Sequence, residues 1–497
     1  MAEKFFWADA VADNIIKTKG DKDEYVCASG ITPSGQVHIG NFREVITTDM
    51  VVKALKDKGK KVRFIYSWDD FDRFRKVPKG VSPEYEKYLG MPVSDIPSPY
   101  DPKLKYSEYF EKQFEKSLEK VEIAPEFIYQ NKMNKKSAYA ELIKVALDKK
   151  DKIVEILNKY RKEPLSDDWM PIMIYCDKCK KDLTKITKVD GYNISYCCKC
   201  GFEEIFDIRK KGIISLRWRV DWPLRWAFES VDFEPGGIDH SVHGGSFTTS
   251  KEISKDVFGF EPPVYQFYEW ISIKEGAAFS SSAGNATTLD EVLEVYEPCV
   301  LRFLFVGTKP KSAFNISFDN DVIKLYEDYD RLEDKYYSGL ANPREKRMYE
   351  FSNINPPKIK PERRGFRHLI TSVQLEQIKD LSDIDKRRAE KVKNWLDKHA
   401  GDDMKFEVQT TILEDFDVQE KEALLELKNI LEEKKFNNEK ELLNEFYAIF
   451  EKTGMKNTDF FEACYRAIIK KTKGPRLGSL ILMIGQEKVT KLLGSLK

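Results

Sequence analysis

An α/β fold built on a parallel sheet, with a cysteine-rich insertion and an all-α C-terminal region, is the architecture this 497-residue sequence predicts. Three observations carry it. An apolar run at Tyr25–Ala28, a helical pattern from Ile39 to Lys58 and a second apolar run at Lys61–Trp68 form a strand–helix–strand unit, whose strands should run parallel. Two Cys-x-x-Cys pairs interrupt the chain further on, Cys176 with Cys179 and Cys197 with Cys200. Beyond Ser312 glycine becomes sparse and long helical patterns fill the chain, for example over 430–452 and 459–471.

Composition bounds the function classes. A chain of this length holds about two to four domains. The 83 basic and 83 acidic side chains cancel, so any nucleic-acid binding rests on local patches. The runs Lys53–Arg63, Lys149–Arg161 and Lys386–Lys393 are candidates, and they read equally well as solvated helix faces. No apolar run approaches the ~20 residues of a membrane-spanning helix, and the N-terminus is too polar for a secretory signal. We therefore expect no membrane partner and a cytoplasmic location. Of the eight cysteines, Cys176, Cys179, Cys197, Cys198 and Cys200 cluster like metal ligands rather than disulfide partners. Cys27, Cys299 and Cys464 read as buried small side chains.

The first turn carries the most chemistry. In Ala28-Ser29-Gly30-Ile31-Thr32-Pro33-Ser34-Gly35-Gln36-Val37-His38-Ile39-Gly40-Asn41, a strand feeds a glycine-containing loop and then a helix. Free N–H groups and the positive end of the helix dipole suit a phosphate there. Gly35 and Gly40 admit close backbone approach, and His38, Ser34 and Thr32 add donors. The loop lacks the Lys-Ser/Thr pair of a Walker loop and the glycine triplet of a dinucleotide fold. A plain turn with a capping histidine is the alternative. The second strand ends in Asp69-Asp70-Phe71-Asp72-Arg73, at the strand edge where ligands sit in open α/β sheets. These carboxylates suit an ammonium or a sugar hydroxyl, or simply cap the next loop.

The insertion is expected over about 78–210. Residues 77–105 should have little regular structure, followed by a helix over 105–121, a strand at Phe127–Tyr129 and one long helix over 135–161. Cys176, Cys179, Cys197 and Cys200 would form a structural zinc knuckle over 176–200, with Cys198 spare. Residues 213–218 read as a strand and 220–226 as a turn with aromatic faces and two arginines, Arg219 and Arg225. Residues 236–246 read as a glycine-rich loop holding Asp239, His240 and His243, then 264–273 as a strand, then 276–285 as a small-residue loop.

Taken in order, these motifs resemble those of class I aminoacyl-tRNA synthetases, and among them the class I lysyl-tRNA synthetases of archaeal type. The segments that carry the likeness are Thr32–Asn41, Ser67–Pro78, the cysteine knuckle, Asp221-Trp222-Pro223, Asp239-His240 with Gly244-Gly245-Ser246, and Ser280-Ser281-Ser282 with Gly284-Asn285. The resemblance implies a Rossmann-like catalytic domain over 1–310 and a helical anticodon-binding domain over 311–497. It implies ATP with Mg2+, structural Zn2+, L-lysine and tRNA(Lys). His38 and Asn41 would be catalytic, binding ATP phosphates together with Thr32, Pro33, Gly40, Ser280, Ser281 and Ser282. Gly30, Thr32, Trp222, Asp239, His240, His243 and Tyr268 would hold lysine; which carboxylate meets its ammonium stays open.

The sequence departs from the family at one place. Both lysine positions of the second signature loop are occupied by alanine, Ala278 and Ala283, with Lys274 nearby. Loss of a cation aimed at the transferring phosphates bears on activation rate. Three other readings remain at this stage: a synthetase for another amino acid, a non-catalytic binder of tRNA or lysine, and a nucleotidylyltransferase. Amino-acid-dependent pyrophosphate exchange separates the first two from a lysine enzyme. The large helical region argues against the third.

Overall fold

A computed structural model of the chain describes residues 6–273 and 287–496. Ala278, Ser280, Ser281, Ser282, Ala283 and Lys274 lie outside the described residues. The chain divides into two compact units. The first comprises Met1–Leu293, Pro298–Ile316 and Leu340–Pro356; the second comprises Glu294–Glu297, Ser317–Gly339 and Pro357–Lys497.

The first unit is organised by a five-stranded sheet of β1 (Glu24–Ile31), β2 (Lys61–Trp68), β3 (Glu126–Tyr129), β4 (Phe233–Gly237) and β5 (Val264–Tyr268). Its order is β5-β4-β1-β2-β3, with every pairing parallel. This is the doubly wound order, and the direction of winding reverses between β1 and β4. Strand parity explains the layers. Val26 and Ala28 of β1 join Ile65, Ile128, Trp222 and Trp226 in one apolar cluster, so the helix α4 (Trp218–Glu229) covers that face. The helices α1 (Trp7–Lys19), α2 (Ile39–Asp57) and α3 (Tyr106–Lys120) belong to the same unit. α2 buries residues almost all round, from Phe42 and Ile46 to Val52 and Leu55, as an interior helix does.

Four expectations about secondary structure require correction. The long helix expected over 135–161 is three short helices, Gln130–Lys135, Ala140–Asp148 and Lys150–Asn158. Ser137 takes a positive φ of 55° at the first break, and Lys149 with φ −101° and ψ 23° makes the second. Residues 220–226 are not a turn but part of α4, with Pro223 inside it. Proline removes the N–H that would reach Arg219, and Ser250 Oγ donates to that carbonyl instead at 3.4 Å. The expected glycine loop begins as β4, an interior strand despite Pro235, Gly236 and Gly237, and continues as the short helix Ile238–Ser241. The single strand expected over 264–273 is β5 plus Ile271–Ile273, which pairs in parallel with Phe314–Ile316 in a separate sheet.

The cysteine insertion packs on a three-stranded antiparallel sheet of Thr184–Asp190, Asn193–Cys198 and Glu203–Asp207. Its four converging thiols are those of Cys176, Cys179, Cys198 and Cys200, all within 4.8 Å of one another. The expected ligand Cys197 is replaced by Cys198. Alternation along Asn193–Cys198 turns Ile194, Tyr196 and Cys198 inward, so Cys197 faces away. The Sγ atoms of Cys176 and Cys200 lie 3.7 Å apart and those of Cys179 and Cys198 lie 3.6 Å apart. Four sulfurs about 2.3 Å from a tetrahedral ion would be about 3.8 Å apart, so the donor set fits one.

The second unit is helical. Leu424, Leu427, Phe446, Phe460, Ile468 and Leu480 share its core, and the helix Val418–Glu433 opens on a capping box of Asp417 and Glu420. Fully buried Arg388 binds Glu297 at 2.6 Å and Asp330 at 2.8 Å. Arg302 does the same work in the first unit. It is 2% exposed and donates to Asp49 at 2.6 Å, to Val121 O at 3.1 Å and to Phe351 O at 3.1 Å. Arg302→Ala would leave Asp49 buried and unpaired. We expect a loss of about 3–5 kcal/mol, read as a lower denaturation midpoint by circular dichroism; an unchanged midpoint would contradict this account.

Candidate active site

A cavity of about 80 Å³ opens among the C-terminal ends of the strands where the winding reverses. Its wall includes Gly30 of β1, Ser67 and Asp69 at the end of β2, and Glu234 with Gly236 of β4. α2 contributes Glu44, and α4 contributes Trp222 and Arg225. Two glycines here leave space that a side chain would fill, Gly30 against backbone and Gly236 against the tip of a side chain. A Cβ on Gly30 would sit 2.6 Å from Ser67 O, and one on Gly236 would sit 2.3 Å from the Tyr265 hydroxyl.

The carboxylates at this edge meet different partners. Arg225 pairs with both Asp69 and Asp221 and donates to Ser67 Oγ at 3.2 Å. Asp70 accepts from both the backbone and side chain of Asn131. Asp72 Oδ2 accepts from Thr32 Oγ1 at 3.0 Å. Burial, as the largest cause, pushes Asp70, Asp72 and Asp221 each up to about 6. Among the described residues Glu44 has no cation within ion-pair distance. Its Oε1 accepts from Ser29 Oγ at 3.0 Å and Gly30 N at 2.9 Å, and its Oε2 from the Tyr268 hydroxyl at 2.7 Å. Burial raises its pKa, partly opposed by those three hydrogen bonds.

The phosphate-loop end lies at the start of α2. His38 is the N-cap, and its backbone N–H donates to Asn41 Oδ1 at 3.2 Å. Burial lowers its imidazole to about 4, so His38 is neutral at pH 7. Its backbone pairs with Thr288, and Ile39 N donates to Thr287 O at 2.8 Å. Pro33 is buried in the preceding loop, and Gly40 lies in the first helical turn.

The expected lysine-site residues separate into two groups. Gly30, Trp222 and His240 line the cavity; Tyr268 reaches it through Glu44, and Thr32 is tied to Asp72. The Trp222 and His240 rings are 5.7 Å apart. Asp239 and His243 are exposed, and the His243 ring lies 5.4 Å from Tyr160. Sequence reasoning gave no part to Glu44, Glu234, Trp226 or Gln130, all of which line the cavity. Glu44 carried a readable signal, a carboxylate one turn after Gly40 on the helix that follows the phosphate loop. Glu234 did not, because its strand was hidden by Pro235 and the two glycines.

The family model described as tRNA synthetases class I (K) matches residues 5–355. A lysine--tRNA ligase of Borreliella burgdorferi is 44% identical over 98% of each chain. One from Borrelia garinii subsp. bavariensis is 45% identical over 98% of each chain. A lysine--tRNA ligase of the archaeon Pyrococcus horikoshii is 38% identical over 98% of this chain and 99% of its own. With a doubly wound sheet, a cavity at its winding reversal and a family model matching most of its length, the chain belongs to the class I (K) tRNA synthetases.

Proposed function

We propose that this chain joins L-lysine to tRNA(Lys) in two steps within one cleft. The lysine carboxylate attacks the α-phosphate of ATP, giving lysyl-adenylate and pyrophosphate. The acyl group then passes to the terminal adenosine of the tRNA. No protein nucleophile is needed, so the residues act by positioning and by stabilising charge. His38, as a neutral donor at a helix N-terminus, and Asn41 would meet ATP phosphates, with Thr32, Pro33 and Gly40 shaping the loop. Magnesium brought with the nucleotide would share the phosphate charge.

Glu44 carries the choice of amino acid in this reading. It is a carboxyl group at the cavity wall, oriented by three hydrogen bonds, with no cation within ion-pair distance among the described residues. An ammonium of lysine supplies that cation. Trp222 offers an aromatic wall for the methylene stem. The test is pyrophosphate exchange across the twenty amino acids, where lysine alone should support exchange; silence with every amino acid would sink the reading. Glu44→Gln should lower kcat/KM for lysine by at least ~30-fold with little change in the KM for ATP.

The cysteine cluster would hold zinc through Cys176, Cys179, Cys198 and Cys200, and four protein ligands make the site structural. Cys198→Ser should weaken zinc by more than the ~100-fold that loss of an outer partner costs, whereas Cys197→Ser should retain it. Equal zinc content in the two purified variants would refute the ligand assignment.

The helical region would bind the anticodon. In the second unit a groove runs beside the irregular segment 405–411, with Lys393, Lys405, Lys470 and Lys471 on its walls against Asp397 and Glu407. Lys393 is engaged by Asp397 at 2.9 Å and Lys471 donates to Asp402 O at 3.0 Å, and the lysines of this wall would be the ones to meet a phosphate. Replacing Lys470 and Lys471 together by alanine should raise the KM for tRNA several-fold, flatten its salt dependence and leave lysine-dependent exchange intact. An unchanged tRNA KM would remove the groove from consideration.

A further inference from the structure

We propose that Glu234 sets the charge of the cavity: it holds a proton while the cavity is empty and releases it to solvent when a ligand with a side-chain ammonium enters. The inference rests on reading the cavity as the lysine site.

Glu234 is buried on β4 and lines the same cavity as Glu44. Its Oε2 accepts the Trp226 indole N–H at 2.5 Å. The titratable and charged groups that share its cavity or act on it are Glu44 from α2, Asp69 at the end of β2, Arg225 and Glu229 from α4, Tyr265 from β5, Tyr139, and His240 beyond β4. Arg225 is already bound by Asp69 and Asp221. The Tyr265 hydroxyl is shared with Ser241 Oγ at 2.8 Å. No cation within ion-pair distance answers Glu234 among the described residues. Two bare carboxylates at one small cavity repel each other in a medium that screens poorly. Burial first and Glu44 second push the Glu234 carboxyl up to about 8, so at pH 7 it is mostly neutral. An entering ammonium reverses the sign of the local potential and favours the anion. The step balances simply, since a carboxylic acid becomes a carboxylate and one proton passes to buffer. Glu234 therefore adds no charge to the empty cavity and one negative charge when lysine fills it.

The experiment is calorimetry of lysine binding at pH 7 in two buffers of different ionisation enthalpy. Wild-type protein should release close to one proton per lysine bound, and Glu234→Gln none. Release that persists in Glu234→Gln would assign the proton to Glu44 or His240 and overturn the proposal, as would its absence from the wild type. Failure of the wild type to bind lysine would overturn the reading of the cavity and this inference with it. A second readout needs no variant. Affinity of the wild type should rise between pH 6.5 and 8.5, by up to about tenfold per unit below the carboxyl's own pKa; a flat profile contradicts the proposal. The stability sign follows from the same proton. The folded value of about 8 exceeds the unfolded 4.5, so the folded state binds more protons between them and loses stability as pH rises through that window. Glu234→Gln, which keeps an acceptor for Trp226, should escape that loss and gain melting temperature over wild type at pH 8 relative to pH 5.

Discussion

Carboxylates taken out of water at the C-terminal edge of a parallel sheet are the constraint on which the rest of the first unit depends. Asp69, Asp70, Asp72, Asp221, Glu44 and Glu234 all gather there, and Arg225 is the cation bonded among them. Burial alone would lower the pKa of that guanidinium, but Asp221 and Asp69 outweigh it and raise it. The arrangement is local in sequence on one side and distant on the other. Asp221 and Arg225 are one helical turn apart on α4, whereas Asp69 ends β2. Arg225 therefore ties the helix on one face of the sheet to the strand end that frames the cavity.

This tie explains features that otherwise look like defects. α4 tolerates Pro223 because the carbonyl it orphans finds Ser250, and because Trp218, Trp222 and Trp226 lie along one side at successive turns. Trp222 and Trp226 bury against the sheet, and Trp226 lends its N–H to Glu234. The glycines of β1 and β4 are equally constrained. Any side chain on Gly30 would collide with the β2 backbone, and any on Gly236 with Tyr265. Close strand approach and the cavity are thus obtained from the same residues.

The legible part of the fold was the part written in local pattern. β1, α2, β2, α3 and β3 follow from apolar runs and helical periodicity, and the phosphate loop follows from its glycines and His38. Phe233–Gly237 was illegible because proline and glycine signal turns, while an interior parallel strand with few ladder bonds on one side tolerates them. For the fourth thiol of the cluster, Cys-x-x-Cys spacing suggests Cys197, whereas the pleat decides which of two adjacent cysteines points inward and brings Cys198 to the other three. Glu44 was missed for a different reason. Its place one turn after Gly40 is readable, but that no cation pairs with it among the described residues is a property of the folded neighbourhood rather than of the string of residues.

That distinction bears on selectivity. An apolar pocket separates ligands that differ by one methylene by only about 1–3 kcal/mol. A cavity wall that holds a buried, cation-free carboxylate discriminates more strongly, because a neutral isostere would leave that charge desolvated and unanswered. On the proposed reading Glu44 rejects neutral side chains by this penalty. The protonated Glu234 prevents the empty cavity from bearing the same penalty twice, because in the absence of ligand it has no charge to desolvate. A site built to bind a cation must be stable while it waits for one. Here that requirement is met by three hydrogen bonds on Glu44 and by a proton on Glu234, while the Arg225 guanidinium at the cavity wall is held by Asp69 and Asp221.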